Sequence, residues 1–139
     1  MVYKVIICGD RNWTDRESIK DFIKFVLPRY TVIIQGGCRG ADTIAKEEAE
    51  KLGYTVITIN AKWTKYGKSA GPIRNELMMH ENPNWVIAFH ENIDKSKGTK
   101  NMISLAEKNK TEWIICGRDG VIKISNYGEK NATTTQKTL

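Results

Sequence analysis

Short runs of β-branched apolar residues alternate along this chain with longer segments of helical periodicity, and this alternation limits the fold more than any other feature. Five apolar runs predict buried strands, over residues 2–8, 31–35, 54–59, 84–89 and 112–116. Helices are predicted between them, over residues 14–27, 41–52, 73–81 and 98–108. Strands that alternate with helices are typical of βαβ units, whose parallel sheet is covered by helices on both faces.

We therefore predict an α/β fold, a Rossmann-like three-layer sandwich with a mostly parallel five-stranded sheet in the order 3-2-1-4-5. A capping box is predicted at the first helix, with Thr14 as N-cap and Glu17 three residues later. The turn signal Asp119-Gly120 predicts an antiparallel edge strand over residues 121–125. One domain is expected over residues 1–127, followed by a flexible polar tail over residues 128–139.

Cysteine content and net charge indicate the compartment and the kinds of partner that we expect. The three cysteines, Cys8, Cys38 and Cys116, have neither disulfide-framework nor zinc-site spacing, and no His, Cys, Asp and Glu cluster has metal-ligand spacing. We expect a cytoplasmic protein without a signal peptide, membrane span, metal or cofactor. The net charge of +6 favours anionic partners without identifying one.

A ligand is expected at the carboxyl edge of the sheet, where open parallel sheets bind their ligands. The first strand brings Gly9, Arg11, Asn12 and Trp13 to that edge, and the fourth brings His90. Arg11 is a candidate phosphate ligand, and Trp13 is either a lid over a base or a packing residue. His90 is a weaker candidate, because a lone histidine is more often structural.

The turn Gly36-Gly37-Cys38-Arg39-Gly40 joins a strand to a helix and has two open interpretations. Its glycines permit close backbone approach and its helix start offers N–H groups, so a phosphate fits there. A plain tight turn fits equally well. Asp42, in the first turn of the helix, either complements the helix dipole or holds a sugar hydroxyl, and Cys38 is interpreted as a small buried thiol.

The segment over residues 61–75 holds four basic residues, Lys62, Lys65, Lys68 and Arg74, and no acid. We interpret it as a basic loop. Trp63 and Tyr66 lie within it, and aromatic rings among basic residues suit base stacking beside phosphate binding. The lysines near Lys95 and Lys108 are interpreted as solvated helix ends.

Five motifs occur in one order across residues 3–117. They are G-D-R-N-W-T-D from Gly9, G-G-C-R-G-A-D-T-I-A from Gly36, W-x-x-Y-G-x-x-A-G-P-I-R-N-E-L-M from Trp63, V-I-A-F from Val86 and G-T-x-x-M-I-x-x-A from Gly98. This pattern resembles the small YspA/YpsA-related branch of the SLOG superfamily, whose relatives include the DprA DNA-binding proteins and the Lonely Guy phosphoribohydrolases. The resemblance implies a Rossmann-like fold with a site for nucleotides or nucleotide-derived molecules.

The resemblance also implies which positions form that site. The residues carried over are Arg11, Gly36, Gly37, Arg39, Gly40, Asp42, Gly71, Arg74, Asn75, Gly98 and Thr99. The chain departs from the family in the loop over residues 89–99, which is longer and lacks a Pro-Gly-Gly run. It also has Met102 where the phosphoribohydrolase relatives place a catalytic glutamate, so only Asp42, Glu91 or Asp94 could substitute.

Three functions follow as hypotheses. The leading one is binding of a nucleotide-derived small molecule, such as a mononucleotide, ADP-ribose or a cyclic ADP-ribose, to sense or sequester a signal in phage–bacterium conflict. The second is a phosphoribohydrolase or N-glycosidase, which Met102 disfavours. The third is single-stranded nucleic-acid binding. A homo-oligomer is expected from the superfamily resemblance.

Overall fold

The computed structural model describes residues 2–127 and contains one sheet of six strands with helices on both faces. The strands are Tyr3–Gly9 (β1), Thr31–Gln35 (β2), Thr55–Thr58 (β3), Trp85–Phe89 (β4), Glu112–Gly117 (β5) and Gly120–Ile124 (β6). The helices are Arg16–Val26 (α1), Ala41–Lys51 (α2), Trp63–Tyr66 (α3), Ala70–Met79 (α4) and Lys97–Lys108 (α5). Short 3-10 turns cover Gly67–Ser69 and Ile93–Lys95.

The strand order is β3-β2-β1-β4-β5-β6, with the first five strands parallel and β6 antiparallel to β5. The predicted mostly parallel Rossmann-like sheet and its antiparallel edge strand are both confirmed. Since β1 pairs with β2 on one side and β4 on the other, the loops after these three strands meet at one edge. That meeting point is where the fold provides room for a ligand.

Alternation along β1 sends successive side chains to opposite faces of the sheet. Val5 and Ile7 belong to a core that includes side chains of α1 and α2. Ile6 and Cys8 belong to a second core that includes side chains of α4 and α5, among them Met78. All four β1 residues are at most 8% exposed, so both faces of the central strand are buried.

Two local predictions were wrong. The N-cap of α1 is Asp15 rather than Thr14, because the Asp15 carboxylate accepts the Ser18 N–H at 3.2 Å. The basic segment is largely helical rather than a loop, since α3 and a 3-10 turn lead directly into α4. Pro72 fits in the first turn of α4, where a helix needs no intrahelical N–H donor.

No helix within residues 2–127 is long and apolar enough to cross a membrane. The predicted tail over residues 128–139 lies outside the described residues.

Candidate ligand site

Two neighbouring clefts open at the carboxyl edge of the sheet. The main cleft, of about 410 Å³, lies over the end of β1 between the loops that follow β2 and β4. The side cleft, of about 420 Å³, lies between the loops that follow β1, β2 and β3. Arg11, Cys38, Arg39 and Arg74 line both clefts and form the wall between them.

The structure brings most of the predicted ligand residues to these clefts. Those that line the main cleft are Gly9, Arg11, Asn12, Arg39, Asp42, Arg74, Asn75, His90, Gly98 and Thr99. Those that line the side cleft are Arg11, Gly36, Gly37, Arg39, Trp63 and Arg74. Within the described residues, Trp13, Gly40, Tyr66, Gly71 and Glu91 line neither cleft.

Trp13 is a core residue. Its side chain is 4% exposed, and its ring packs 5.8 Å from the ring of Phe89. The indole N–H donates to the Asp15 carbonyl oxygen at 2.9 Å. Of the two roles considered for Trp13, the structure leaves only packing, because a buried ring with a satisfied N–H has no free face for a base.

The glycine turn over residues 36–40 uses three of its backbone N–H donors within the protein. Gly37 N–H donates to the side-chain oxygen of Gln35 at 2.6 Å, and Cys38 N–H donates to the Asp42 carboxylate at 3.1 Å. The Asp42 carboxylate also accepts the Gly36 N–H. The Asp42 carboxylate thus accepts two of the N–H groups that the sequence suggested for a phosphate, which favours the interpretation as a tight turn.

Two glycines, Gly9 and Gly40, permit close packing of the loops at this edge. A Cβ on Gly9 would lie 2.2 Å from the carbonyl oxygen of Phe89. A Cβ on Gly40, whose φ is +77°, would lie 2.3 Å from the carbonyl oxygen of Asp10. The same Asp10 oxygen accepts the first N–H of α2, from Ala41, at 3.0 Å. Gly9 therefore lets the end of β1 lie close to Phe89 of β4, and Gly40 lets the loops that follow β1 and β2 touch.

Arg74 is buried and ties three elements together. Its Nη1 donates to the Gly36 carbonyl oxygen at 2.5 Å, and its Nε donates to the Asn75 side-chain oxygen at 3.0 Å. The Asn75 amide in turn donates to the Asn101 side chain at 2.9 Å and to the Gly98 carbonyl oxygen at 3.3 Å. This network holds α4 against the β2 turn and the start of α5, so Arg74 positions the wall between the clefts.

Asp42 lies beside Arg74 and is 6% exposed. Burial raises the pKa of Asp42 to about 6, although the Cys38 N–H, the Arg74 guanidinium and the Gly36 N–H all favour its charged form. Burial likewise raises the pKa of the Cys8 thiol far above its ordinary value, with a further increase from the nearby Asp42 charge. The floor of the main cleft thus holds a protonated thiol and a carboxyl group that titrates near neutral pH.

In the loop that follows β4, basic side chains line the main cleft and acidic side chains form ion pairs elsewhere. Lys95 and Lys97 line the main cleft, whereas Asp94 pairs with Lys100 at 3.6 Å and Glu91 pairs with Arg118 at 3.9 Å. Its path is fixed by the His90 Nδ1, which accepts the Asn92 N–H at 2.9 Å, and by Ser96, whose hydroxyl caps α5 by accepting the Thr99 N–H.

Lys95 and Lys97 are exposed near the start of α5, as solvated helix ends would be, and both also line the main cleft. The loop contains both acidic and basic residues, so its sequence alone did not indicate that Lys95 and Lys97 line a cleft. The other lining residues that we did not single out as ligand contacts are Cys8, Asp10, Cys38, Met78, Ser96, Met102, Asn60 and Ala61. The positions of Cys8, Met78 and Met102 could have been predicted, because strand and helix periodicity places their side chains in the core beside this cleft.

The main cleft is strongly cationic. Five of its lining residues are basic and two, Asp10 and Asp42, are acidic. Within residues 2–127 no group of three or more His, Cys, Asp or Glu side chains could hold a metal ion. The basic side chains of the main cleft can attract and hydrogen-bond an anion, and the Asp42 carboxyl group lies beside them.

Comparison with known proteins gives the family. The model of the YspA, cpYpsA-related SLOG family matches residues 3–66. The Gene 61 protein of Mycobacterium phage D29 is 31% identical over 135 residues, which cover 91% of this chain and 98% of the phage protein. The chain belongs to the YspA, cpYpsA-related SLOG family, as its motifs indicated.

Among solved structures, DNA processing protein A (DprA) from Streptococcus pneumoniae is similar in fold, with a TM-score of 0.69 and 18% identity. The similarity covers 98% of this chain and 56% of that chain, so this chain spans a little over half of DprA. Family membership and this similarity agree with the Rossmann-like fold of the chain.

Proposed function

We propose that the main cleft binds a phosphate-bearing small molecule derived from a nucleotide. The observation that carries this proposal is the excess of five basic over two acidic side chains in one cleft of about 410 Å³. Pockets of roughly 300–1,000 Å³ are the size that small ligands fill in proteins. Among the ion pairs within residues 2–127, none involves Lys95 or Lys97.

The residues of the main cleft suit two different parts of such a ligand, its phosphate and its ribose. Lys95, Lys97, Arg11 and Arg39 are exposed cations that can reach a phosphate without breaking an internal ion pair. Asp42 suits a ribose hydroxyl, because an ionised carboxylate has about four acceptor positions and the turn uses three of them, for the Cys38 N–H, the Gly36 N–H and the Cys38 thiol.

The biological role we propose is to sense or sequester a signalling nucleotide in the conflict between bacteria and phages. The relative in Mycobacterium phage D29 supports a phage context, since its similarity extends over almost its whole length. We place this activity in the cytoplasm, where the three free thiols would stay reduced.

A second candidate function is hydrolysis of the bound nucleotide at its N-glycosidic bond. It is favoured by Asp42, a cleft residue with a pKa of about 6, because a general acid or base works best with a pKa near the working pH. Met102, which is 1% exposed and lines the same cleft, supplies no proton and weakens this candidate.

The test is mass spectrometry of the small molecules released on heating the purified protein, followed by calorimetric titration with AMP, GMP, NAD, ADP-ribose and cyclic ADP-ribose. We expect an intact nucleotide to be retained or to bind. A double variant, Lys95→Ala with Lys97→Ala, should then lose at least tenfold in affinity. The matched control is Lys108→Ala with Lys110→Ala, which removes two exposed lysines at the other end of α5 and should bind as wild type.

Each outcome decides between the candidates. Free base in the titration mixtures, abolished by Asp42→Asn, would establish hydrolysis instead of simple binding. Absence of binding to every nucleotide tested, with none released on heating, would contradict the proposal. Equal losses in the two double variants would show that binding depends on overall charge and not on the main cleft.

A further inference from the structure

We infer that the ligand spans both clefts, as a diphosphate-bridged nucleotide with its base on Trp63 and its distal end at Lys95 and Lys97. This inference rests on the proposed function and names the class of molecule that the site fits. It excludes a ligand with a single phosphate and a single sugar as the best occupant.

The sheet order sets the geometry of this span. Lys95 and Lys97 follow β4, Arg11 follows β1, Arg39 follows β2 and Trp63 follows β3. These strands are neighbours in the order β3-β2-β1-β4, so the side chains form a row along one edge. From β4 to β3 there are three strand spacings, about 14 Å in all.

The wall between the clefts consists of side chains that a ligand can lie along. Arg39 Nε donates to the Arg11 carbonyl oxygen at 3.3 Å, and Arg39 Nη2 donates to the Asn12 side-chain oxygen at 3.3 Å. The Arg11 guanidinium lies 5.9 Å from the centre of the Trp63 ring. Both arginines are exposed, so a diphosphate at this wall would meet two guanidinium groups.

The side cleft has the features of a base subsite. Trp63 is 49% exposed, and a Cβ on Gly71 would lie 3.5 Å from one edge of the Trp63 ring, so the ring lies next to the first turn of α4. Asn60, whose amide can both donate and accept, lines the same cleft. The side cleft has three arginines and no carboxylate in its lining.

The main cleft lacks such a platform, because its lining contains no Trp, Tyr or Phe. A base therefore gains most by lying in the side cleft, which leaves the main cleft for the distal part of the ligand. With its base on Trp63, a mononucleotide would end at the arginine wall and would not reach Lys95 or Lys97. A molecule of the ADP-ribose type has the length and the charge to reach both ends.

The experiment is calorimetric titration of two probes, AMP and ADP-ribose, into wild type and two variants. The variants are Trp63→Ala and the Lys95→Ala, Lys97→Ala double variant. ADP-ribose should bind wild type at least tenfold more tightly than AMP and should lose about tenfold in each variant. AMP should lose affinity in only one of the two variants, because it reaches only one end.

Controls separate stacking from folding. Trp63→Phe should keep most of the ADP-ribose affinity. Tyr66 lies on the same short helix but lines neither cleft, so Tyr66→Ala should bind ADP-ribose as wild type does. The inference is overturned if AMP loses affinity in both variants or if ADP-ribose loses it in only one. It is also overturned if a hexathymidylate binds more tightly than ADP-ribose and depends on both ends. Binding of neither probe to wild type would instead count against the proposed function itself.

Discussion

The loops that follow β2 and β4 flank the same strand, β1, yet use their polar groups in opposite ways. The β2 turn looks like an anion site in sequence, but the N–H groups of Gly36, Gly37 and Cys38 donate to the Gln35 side chain or to the Asp42 carboxylate. The β4 loop looks like solvated surface, and its exposed Lys95 and Lys97 line the main cleft without an ion-pair partner among residues 2–127. The comparison teaches that glycine content marks where backbone packs closely, whereas free charge marks where a ligand can bind.

The substitution Arg74→Ala has the largest expected effect, and it tests whether internal hydrogen bonds hold the β2 turn in place. The substitution removes the donor to the Gly36 carbonyl oxygen and the cation beside buried Asp42. We expect the free energy of unfolding to fall by about 3–5 kcal/mol, because the buried Gly36 and Asn75 oxygens each lose a donor, which costs roughly 1–3 kcal/mol for each oxygen. Urea unfolding measures this change in the free energy of unfolding. The control, Arg118→Ala, removes an exposed arginine and should cost less than about 1 kcal/mol; an equally small loss for Arg74→Ala would contradict the account.

The pH dependence of stability tests Asp42 itself. Its pKa is raised from 3.8 to about 6 in the folded protein, so the unfolded chain releases this proton first as the pH rises. The Asp42 contribution to the free energy of unfolding should therefore fall by about 3 kcal/mol in all between about pH 3 and pH 7, with about 2 kcal/mol of this between pH 4 and pH 6, and stay constant above pH 7. The measurement is the difference in unfolding free energy between wild type and Asp42→Asn across this range, which removes the contribution of other groups. A difference independent of pH would refute the raised pKa.

A pair of glycine substitutions compares the packing of the two loops. Gly40→Ala places a Cβ 2.3 Å from the Asp10 oxygen at a positive φ, so we expect a loss of about 2 kcal/mol or more. Gly98→Ala at the β4 loop meets nothing within 4 Å and lies in the first turn of α5, so it should be neutral or slightly stabilising. Thermal unfolding of both variants checks this. Equal effects at the two positions would remove the distinction between a packed turn and an open loop.

The smallest expected effect compares the β4 loop with the basic segment around α3. Lys97→Ala should lower the affinity for ADP-ribose about fivefold and leave stability within about 0.5 kcal/mol. Lys62→Ala removes an exposed lysine that lines neither cleft and should change affinity less than twofold. The same titrations at two salt concentrations should show a weaker salt dependence for Lys97→Ala only. The reverse ranking would assign binding to the basic segment.

The fold was predictable because hydrophobic periodicity dictates it. The five apolar runs gave the parallel strands in their correct order, and Asp119-Gly120 marked the antiparallel edge strand. The error at the N-cap of α1 had a local cause, since Thr14 and Asp15 are both good caps and only the backbone geometry selects Asp15. The helical character of the basic segment was missed because its apolar spacing is irregular.

The site was only partly predictable. The carboxyl edge follows from topology, so Arg11, Arg39 and His90 were placed near the cleft before any contact was known. Whether a group there is free depends on hydrogen bonds that a sequence does not display. Asp42 turns back onto the Cys38 N–H, and Trp13 turns into the core, because each finds a partner within the protein.

The measurement that tests the central claim most directly is a crystal structure of the protein with ADP-ribose. The account predicts phosphate oxygens within hydrogen-bond distance of the Arg11 or Arg39 guanidinium groups. It also predicts that Asp42 still accepts the Cys38 N–H, as it does without a ligand. A phosphate bound to the backbone N–H groups of residues 36–38, with the Asp42 carboxylate displaced, would contradict it.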